Sequence, residues 1–237
     1  EARGLLVFTG YCHGVKISIV TSLMGPAQME ITHVETIMSG GRIGIRVGSC
    51  GLTIKNARPG EPIIIRAAMR FDGQEVIAPI QYPAFADHDV TAALFDAADV
   101  NIKGKYHSGV EATGNTFYFG QGRLDLLGRI SPQASYQYEL IKFYAQCMSM
   151  EAATMFVISS IFGLPSGAIN IGYGNRLTDK WLEHDKIGPA ELEAGIVAIE
   201  ALCAVAKNPR MLPFMNGKHI LSADSLEKAY TLVGQKA

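Results

Sequence analysis

Cysteine is scarce and scattered in this sequence. Its 237 residues contain four cysteines, Cys12, Cys50, Cys147 and Cys203, and no two of them form a C-x-x-C pair. This spacing excludes compact zinc clusters and the disulfide frameworks of small secreted domains. Free thiols are typical of a reducing compartment, so we expect a cytoplasmic protein.

Long apolar segments are also missing. The most apolar stretch, residues 148–162, is interrupted by Glu151, and it is shorter than the roughly 20 residues that a helix needs to span a bilayer. No signal peptide is visible. We therefore expect no membrane partner.

An excess of positive charge is absent as well. The chain has 21 Lys and Arg residues against 22 Asp and Glu residues, for a formal net charge of -1. Proteins that bind the phosphate backbone of nucleic acids carry a strongly basic surface. We therefore expect no nucleic-acid partner, and any anion site must be built locally from a few side chains.

The sequence does contain enough apolar material for one folded unit. Hydrophobic residues make up 48% of it and charged residues 18%, which predicts a single domain over residues 1–237. Runs rich in β-branched residues predict strands at 15–20, 43–47, 63–67 and 168–171. Helices are predicted at 27–38, 90–98, 134–147, 148–162 and 189–206, the last beginning at Pro189. This order predicts an α/β fold with a mixed, largely buried sheet.

Residues 41–51 place an arginine on an apolar strand. The β-branched side chains lie on one face and Arg46 on the other, where it needs an anionic partner because an unpaired buried charge costs several kcal/mol. Residues 48–51 then predict a loop whose backbone N–H groups, with the Ser49 hydroxyl, suit a phosphate. The alternative is an ordinary ion pair that ends in a turn.

Residues 116–123 place aromatic side chains beside a glutamine and an arginine in a predicted loop. Gln121 both donates and accepts hydrogen bonds, whereas Arg123 only donates. Together they match the imide edge of a pyrimidine, which has two carbonyls and one N–H, and Phe117 is suited to pack against a flat ring. The alternative is a hairpin loop with a surface arginine.

Glu151 is the one charged residue of the stretch 148–162. On a helix that is apolar nearly all round, its carboxylate is expected to be buried. A buried carboxylate needs hydrogen-bond donors, and the 2'- and 3'-hydroxyls of a ribose supply two. The alternative is an ion pair with a Lys or Arg of the fold.

The histidines and glycines predict no metal or dinucleotide site. None of the six histidines has a spacing to another that is typical of zinc ligands. Gly172 and Gly174 form only a fragment of a dinucleotide-binding fingerprint, which requires a third glycine. We therefore expect no bound metal and no nucleotide cofactor.

Taken in order, these segments resemble the nucleoside phosphorylase superfamily and, within it, the uridine phosphorylases. The similarity runs from about residue 3 to about residue 206. Residues 117–123 are similar to the F-Y-x-G-Q-x-R loop that holds uracil and separates this group from purine-specific relatives. Residues 46–49 resemble the R-I-G-T phosphate and ribose segment, with Ser49 in place of threonine. Residues 150–154 resemble the M-E-[SA]-A-T ribose motif.

The resemblance implies a role for individual residues. Those implied to bind phosphate are Arg3, Arg46 and Ser49. Those implied to bind ribose are Ser49, Met150 and Glu151. Those implied to bind the nucleobase are Cys50, Gly51, Phe117, Gln121, Arg123 and Arg176. Those implied to act in catalysis are Arg46, Gln121, Arg123 and Glu151.

The resemblance also implies a fold, a reaction and an assembly. The fold is a mixed, distorted β-sheet barrel flanked by helices, and the reaction is the reversible phosphorolysis of uridine to uracil and ribose 1-phosphate. Inorganic phosphate is the co-substrate and no cofactor is required. Arg3 stands where the family sends an arginine into the neighbouring subunit, which implies a homodimer as the smallest active unit and leaves a hexamer open. Gly4 stands where some members carry an acidic cation ligand, so an interfacial cation is unsupported.

Three alternatives remain open at this point. Two use the same fold, namely a purine nucleoside phosphorylase and a hydrolytic nucleosidase. Gln121 and Arg123 argue against purine specificity, and Arg46 argues for phosphate over water. The third alternative is a nucleoside-binding protein without turnover.

The two ends of the sequence differ from the family pattern. Members begin with a strand that leads to a G-D-P-x-R loop with further phosphate contacts, and neither is found before Arg3. We expect that a natural N-terminal segment precedes this point, because a phosphate site without it would be impaired. Prolines within 207–213 end the last long helix, so residues 207–237 are predicted to form an appendage with a helix at 222–233.

Overall fold

A computed structural model describes residues 4–71, 75–102, 105–123 and 131–211. The strands are β1 (Val7–Cys12), β2 (Val15–Val20), β3 (Gly44–Leu52), β4 (Pro62–Arg70), β5 (Ala84–Phe85), β6 (His107–Thr113), β7 (Cys147–Ser149), β8 (Ser166–Asn175) and β9 (Lys180–Trp181). The helices are α1 (Pro26–Met38), α2 (His88–Asn101), α3 (Pro132–Tyr144), α4 (Ala152–Ile161) and α5 (His184–Lys207), followed by a 3-10 turn at Pro209–Met211.

Five of the strands close into a barrel. The larger sheet runs in the order β5-β4-β6-β7-β3-β8-β9, and a further pairing between β4 and β8 joins its two halves. The pairs β3–β8, β4–β6 and β6–β7 are parallel, whereas β3–β7 and β4–β8 are antiparallel. The structure confirms the predicted mixed barrel flanked by helices.

Strand β8 and the first four residues of β4 are buried on both faces. Ile64 and Ile169 pack against α2 and α5 in one hydrophobic cluster. Their neighbours Ile63 and Ile65 point the other way and pack against α4 in a second cluster. Alternate side chains of a strand point to opposite faces, so a strand between two helical layers needs apolar residues at every position. This explains the unbroken apolar runs in the sequence.

Several predicted boundaries are wrong for a tertiary reason. Residues 48–51 continue β3 instead of forming a loop, because they pair with β8. The short strand β7 occupies the start of the predicted helix 148–162, so α4 begins only at Ala152. Pro189 lies inside α5, which begins at His184. Strand β6 was not predicted, since its polar residues mask the β pattern.

A hairpin of β1 and β2 stands apart from the barrel sheet. Together with α1 and α5 it borders a groove of about 770 Å³, whose lining includes none of the predicted site residues. No helix in the described ranges has the length and apolar character needed to cross a membrane. The predicted helix at 222–233 lies outside the described residues.

The buried His33 links α1 to α4 and predicts an acid-sensitive fold. Its Nε2 lies 2.7 Å from the Ser159 hydroxyl, and burial lowers its pKa to about 4 from 6.5. Because the folded-state pKa lies below the unfolded value of 6.5, the free energy of unfolding is highest above pH 6.5 and falls as the pH drops through about 4. His33→Gln removes this titration, so the acid-side loss in unfolding free energy should shrink by about 3 kcal/mol in denaturant titrations.

The control for this measurement is His88→Gln, which changes an exposed histidine at the start of α2. The control should keep the wild-type decline between neutral and acidic pH. Equal declines in wild type and His33→Gln would contradict the assignment to His33.

Candidate active site

A buried ion pair joins the first part of β3 to the start of α4. Arg46 Nη2 contacts Glu151 Oε2, and the two side chains are only 9% and 5% exposed. The same nitrogen donates to the Ser149 hydroxyl over 3.0 Å. Two predicted site residues from distant parts of the sequence therefore meet directly.

Gly48 makes room for the Arg46 side chain. Residues two apart on a strand lie on the same face, and the guanidinium of Arg46 lies over Gly48. A Cβ added at Gly48 would come within 2.5 Å of the guanidinium carbon. A side chain at position 48 would therefore displace the arginine from its partners.

Glu151 is held by backbone as well as by Arg46. Its Oε1 accepts from Gly25 N over 2.8 Å, and its Oε2 accepts from the Ser149 hydroxyl over 3.1 Å and Met150 N over 3.2 Å. The residue precedes α4 and makes no side-chain cap for it. The alternative that Glu151 pairs with an arginine of the fold matches this arrangement, and its ribose role stays a prediction.

A second layer of polar residues lies behind this ion pair. Asn170 of β8 accepts from Arg46 and donates to Glu111 of β6 over 2.7 Å. Glu111 also accepts from Thr113 over 2.6 Å and from Ala152 N over 3.2 Å. Sequence reasoning missed Glu111 and Asn170. Asn170 is a polar residue between isoleucines, which is the kind of signal that singled out Glu151, whereas Glu111 lies in a strand with several polar residues and does not stand out.

Two arginines meet among aromatic rings at the other part of the site. The Arg123 guanidinium carbon lies 3.9 Å from the Phe117 ring centre and 5.0 Å from that of Trp181. Burial, reinforced by the charge of nearby Arg176, lowers the pKa of Arg123 to about 10. Arg176 in turn lies 5.8 Å from the Tyr138 ring centre.

These two arginines have buried donors without partners. Among the described residues, neither Arg123 Nε nor Arg176 Nη1 finds a hydrogen-bond acceptor. A buried unpaired donor costs about 1–3 kcal/mol, so such atoms are expected where a ligand supplies the acceptor. Phe117 packs against Arg123 in the structure, and its predicted packing against a nucleobase ring stays a prediction.

The loop before Arg123 is fixed by close packing. Gly122 has φ +61°, and a Cβ added there would clash with the Tyr138 ring. Arg123 N donates to Tyr118 O over 2.8 Å, and Gln121 is buried. The alternative of a loop with a surface arginine does not fit a half-buried Arg123. Tyr138 and Trp181 were not predicted as site residues, because the sequence around each of them forms no recognisable motif.

Strand β3 connects the two parts of the site. Arg46 lies five residues before Gly51 on this strand, a span of about 17 Å between Cα atoms at the usual rise per residue. Gly51 passes beneath Arg176, whose Cγ would lie 3.1 Å from a Cβ added at Gly51. Cys50 is buried beside Cys147.

Of the other two predicted phosphate ligands, one is not brought to Arg46 and the other is not among the described residues. Ser49 is exposed on β3, and strand alternation points its side chain to the face opposite Arg46. Arg3 lies outside the described residues. Their phosphate roles stay predictions.

A separate group of metal-type ligands lies at the hairpin turn. Cys12, His13 and Glu200 bring one ligand atom each to within 4.8 Å of one another, and His13 Nε2 is 3.1 Å from Glu200 Oε1. The group contains none of the predicted site residues. His13 and Glu200 are largely exposed, as in ordinary surface ion pairs.

The barrel and this site place the chain in a defined class of proteins. The family model described as the phosphorylase superfamily matches residues 1–207. The chain belongs to the phosphorylase superfamily.

The chain is similar to several characterised members. It is 35% identical to the uridine phosphorylase of Thermococcus kodakarensis over 204 residues, 84% of this chain and 70% of that protein. It is 30% identical to the uridine phosphorylase of Haemophilus influenzae over 212 residues, 86% of this chain and 82% of that protein. The purine nucleoside phosphorylase of Plasmodium vivax is 28% identical over 200 residues, 82% of this chain and 76% of that protein.

Replacing Gly48 tests the fit of Arg46 over β3. Gly48→Ala places a methyl group where the guanidinium lies, so Glu151 loses its buried partner. We expect a loss of about 1–3 kcal/mol in the free energy of unfolding, measured by denaturant titration. In an Arg46→Ala background the same substitution should lower the free energy of unfolding much less, because no guanidinium remains to be displaced.

Gly10→Ala on β1 is the matched control, since an added Cβ meets no atom within 4 Å there. This variant should be close to wild type in stability. An equal cost of Gly48→Ala with and without Arg46 would show that the strain arises elsewhere.

Proposed function

We propose that this protein is a uridine phosphorylase, which cleaves uridine with inorganic phosphate to uracil and ribose 1-phosphate. The observation that carries the proposal is the pair of half-buried arginines, Arg123 and Arg176, each of which has one buried donor without a partner among the described residues. The similarity to two uridine phosphorylases at 35% and 30% identity supports it.

The arginine pair suits a pyrimidine base as leaving group. Breaking the N-glycosidic bond sends the bonding electrons to the base, so negative charge gathers on its carbonyl oxygens. Arginine donors placed there stabilise that charge, and a desolvated site strengthens the effect. Gln121 adds a donor and an acceptor for the imide edge.

The Arg46 and Glu151 pair suits the sugar and the phosphate. The contacts of Arg46 use only part of its donors, which leaves others for a phosphate oxygen. Glu151 Oε1 has one backbone donor in the structure and retains accepting capacity for a ribose hydroxyl. Phosphate attacks the anomeric carbon as the bond to the base breaks, so no covalent enzyme intermediate and no cofactor are required.

Activity measurements with three nucleosides test the proposal. Purified protein should cleave uridine when phosphate is present and leave inosine intact. Thymidine should be cleaved more slowly than uridine or not at all. Arg123→Ala should lower kcat/KM for uridine by on the order of 10² to 10³, as for the loss of one donor to developing charge.

The assays are run with and without phosphate, and thermal unfolding checks that the variant is folded. Cleavage of inosine with uridine untouched would overturn the pyrimidine assignment in favour of a purine nucleoside phosphorylase. Cleavage without phosphate would indicate a nucleosidase, and ligand binding without cleavage a silent binding protein.

We further propose that the protein acts in the cytoplasm as a homodimer. All four cysteines are free, which fits a reducing compartment. The dimer follows from Arg3, which by resemblance completes the phosphate site of the neighbouring subunit. In a two-fold symmetric dimer each subunit then contributes to both sites.

Mixing two inactive variants tests the shared site. Arg3→Ala removes the residue lent to the neighbour, whereas Arg46→Ala damages the subunit's own site. A mixed dimer has one site with both defects and one with neither, so mixing should restore part of the wild-type activity. Each variant alone, treated in the same way, is the control. No recovery despite demonstrated subunit exchange would place Arg3 in its own subunit's site or in none.

A further inference from the structure

We infer that Glu111 and Asn170 are positioning residues, which orient the Arg46 guanidinium and the start of α4 for phosphorolysis. The role assigned to Arg46 in phosphate use rests on the proposed function. The inference about orientation rests on contacts within the described residues.

The two side chains form a chain of hydrogen bonds behind Arg46. Asn170 lies directly opposite Gly48 in the β3–β8 register, so its side chain lies next to the arginine that crosses this glycine. Its Oδ1 accepts from Arg46 Nη1, and its Nδ2 donates to Glu111 Oε2 over 2.7 Å. Asn170 and Glu111 are fully buried.

Glu111 sets the direction of the hydrogen bonds that join it through Asn170 to Arg46. An arginine only donates, so Asn170 must present its carbonyl oxygen to Arg46. The Asn170 amide nitrogen then needs an acceptor on its other side, and an ionised carboxylate accepts at both oxygens. Glu111 therefore fixes which end of Asn170 faces the arginine.

The other oxygen of Glu111 acts on the helix that follows Glu151. Oε1 accepts from Ala152 N, the first residue of α4, and from the Thr113 hydroxyl, which in turn accepts from Ala153 N. These contacts satisfy amides that open the helix, which Glu151 does not cap. One carboxylate thus supports both members of the Arg46–Glu151 pair.

A buried charge is a costly way to hold a fold together. Burial raises the pKa of Glu111, while the opposing charge of Arg46 and the bonds from Thr113 and Asn170 lower it. The charge of Glu151 raises the pKa as well, and the net shift is upward. Because apolar residues of similar volume often stabilise a core at least as well, the polar set is better explained by orientation of the site than by stability.

A swap of the two side-chain types tests the inference. Glu111→Gln replaces two accepting oxygens with one acceptor and one donor. Its amide N–H group must then face either the Asn170 amide nitrogen or Ala152 N, so one buried donor is mispaired on the Arg46 side or at the start of α4. Asn170→Asp sets a second carboxylate against Glu111. In the double variant the introduced glutamine donates to the introduced aspartate, which accepts from Arg46, so charge and bond direction are both restored.

We expect each single variant to raise the KM for phosphate by at least about tenfold, as for one mispaired buried hydrogen bond. The double variant should return to within a few-fold of wild type. Thr53→Val is the matched control, since it removes a buried hydrogen bond to Ala145 O outside this set. That variant should lose stability but keep the KM for phosphate.

A spectroscopic measurement separates this inference from the proposed function. The Arg46 guanidinium N–H signals, assigned in ¹H–¹⁵N spectra by their loss in Arg46→Lys, should show restricted rotation in wild type and the double variant but not in the single variants. This holds whatever substrate is cleaved. Unchanged signals and KM in the folded single variants would overturn the inference, as would a double variant as impaired as both singles together.

Discussion

The buried ion pair between Arg46 and Glu151 is the interaction on which the rest of the site depends. Both charges are almost wholly removed from water, and their mutual attraction repays the cost of desolvation only when further hydrogen bonds satisfy the remaining groups. Asn170, Ser149 and the backbone of Gly25 supply those bonds. Because they come from separate elements, the pair exists only when the barrel is closed.

The two parts of the site differ in how completely their polar groups are satisfied. Around Arg46 and Glu151 several donors and acceptors pair within the protein, which fixes the geometry before a substrate arrives, and the remaining ones are left for phosphate and ribose. Around Arg123 and Arg176 buried donors are left without acceptors among the described residues, which favours a ligand that supplies them. The part around Arg46 and Glu151 therefore suits the positioning of the reactants. The part around Arg123 and Arg176 suits selection of the base.

Much of this arrangement could be predicted from residue types, and the exceptions have a common cause. Arg46, Glu151 and Arg123 stood out because each is a polar group in an apolar or aromatic setting. The loop predicted at 48–51 is instead a strand, since glycine and serine pair with β8 when a neighbouring strand offers hydrogen bonds. Ser49 was grouped with Arg46 by sequence proximity, but the alternation of that strand separates their side chains.

The sequence alone determined the fold class, the presence of the five described helices, four of the nine described strands and several of the candidate site residues, because periodicity and polar exceptions are local properties. Only the tertiary structure decided the partners. Arg46 and Glu151 lie 105 residues apart, and Glu111 and Asn170 lie 59 apart. For Arg46, Glu111 and Asn170, which lie on strands, the partners are set by the register between strands, and a shift of one residue would turn each of these side chains to the opposite face.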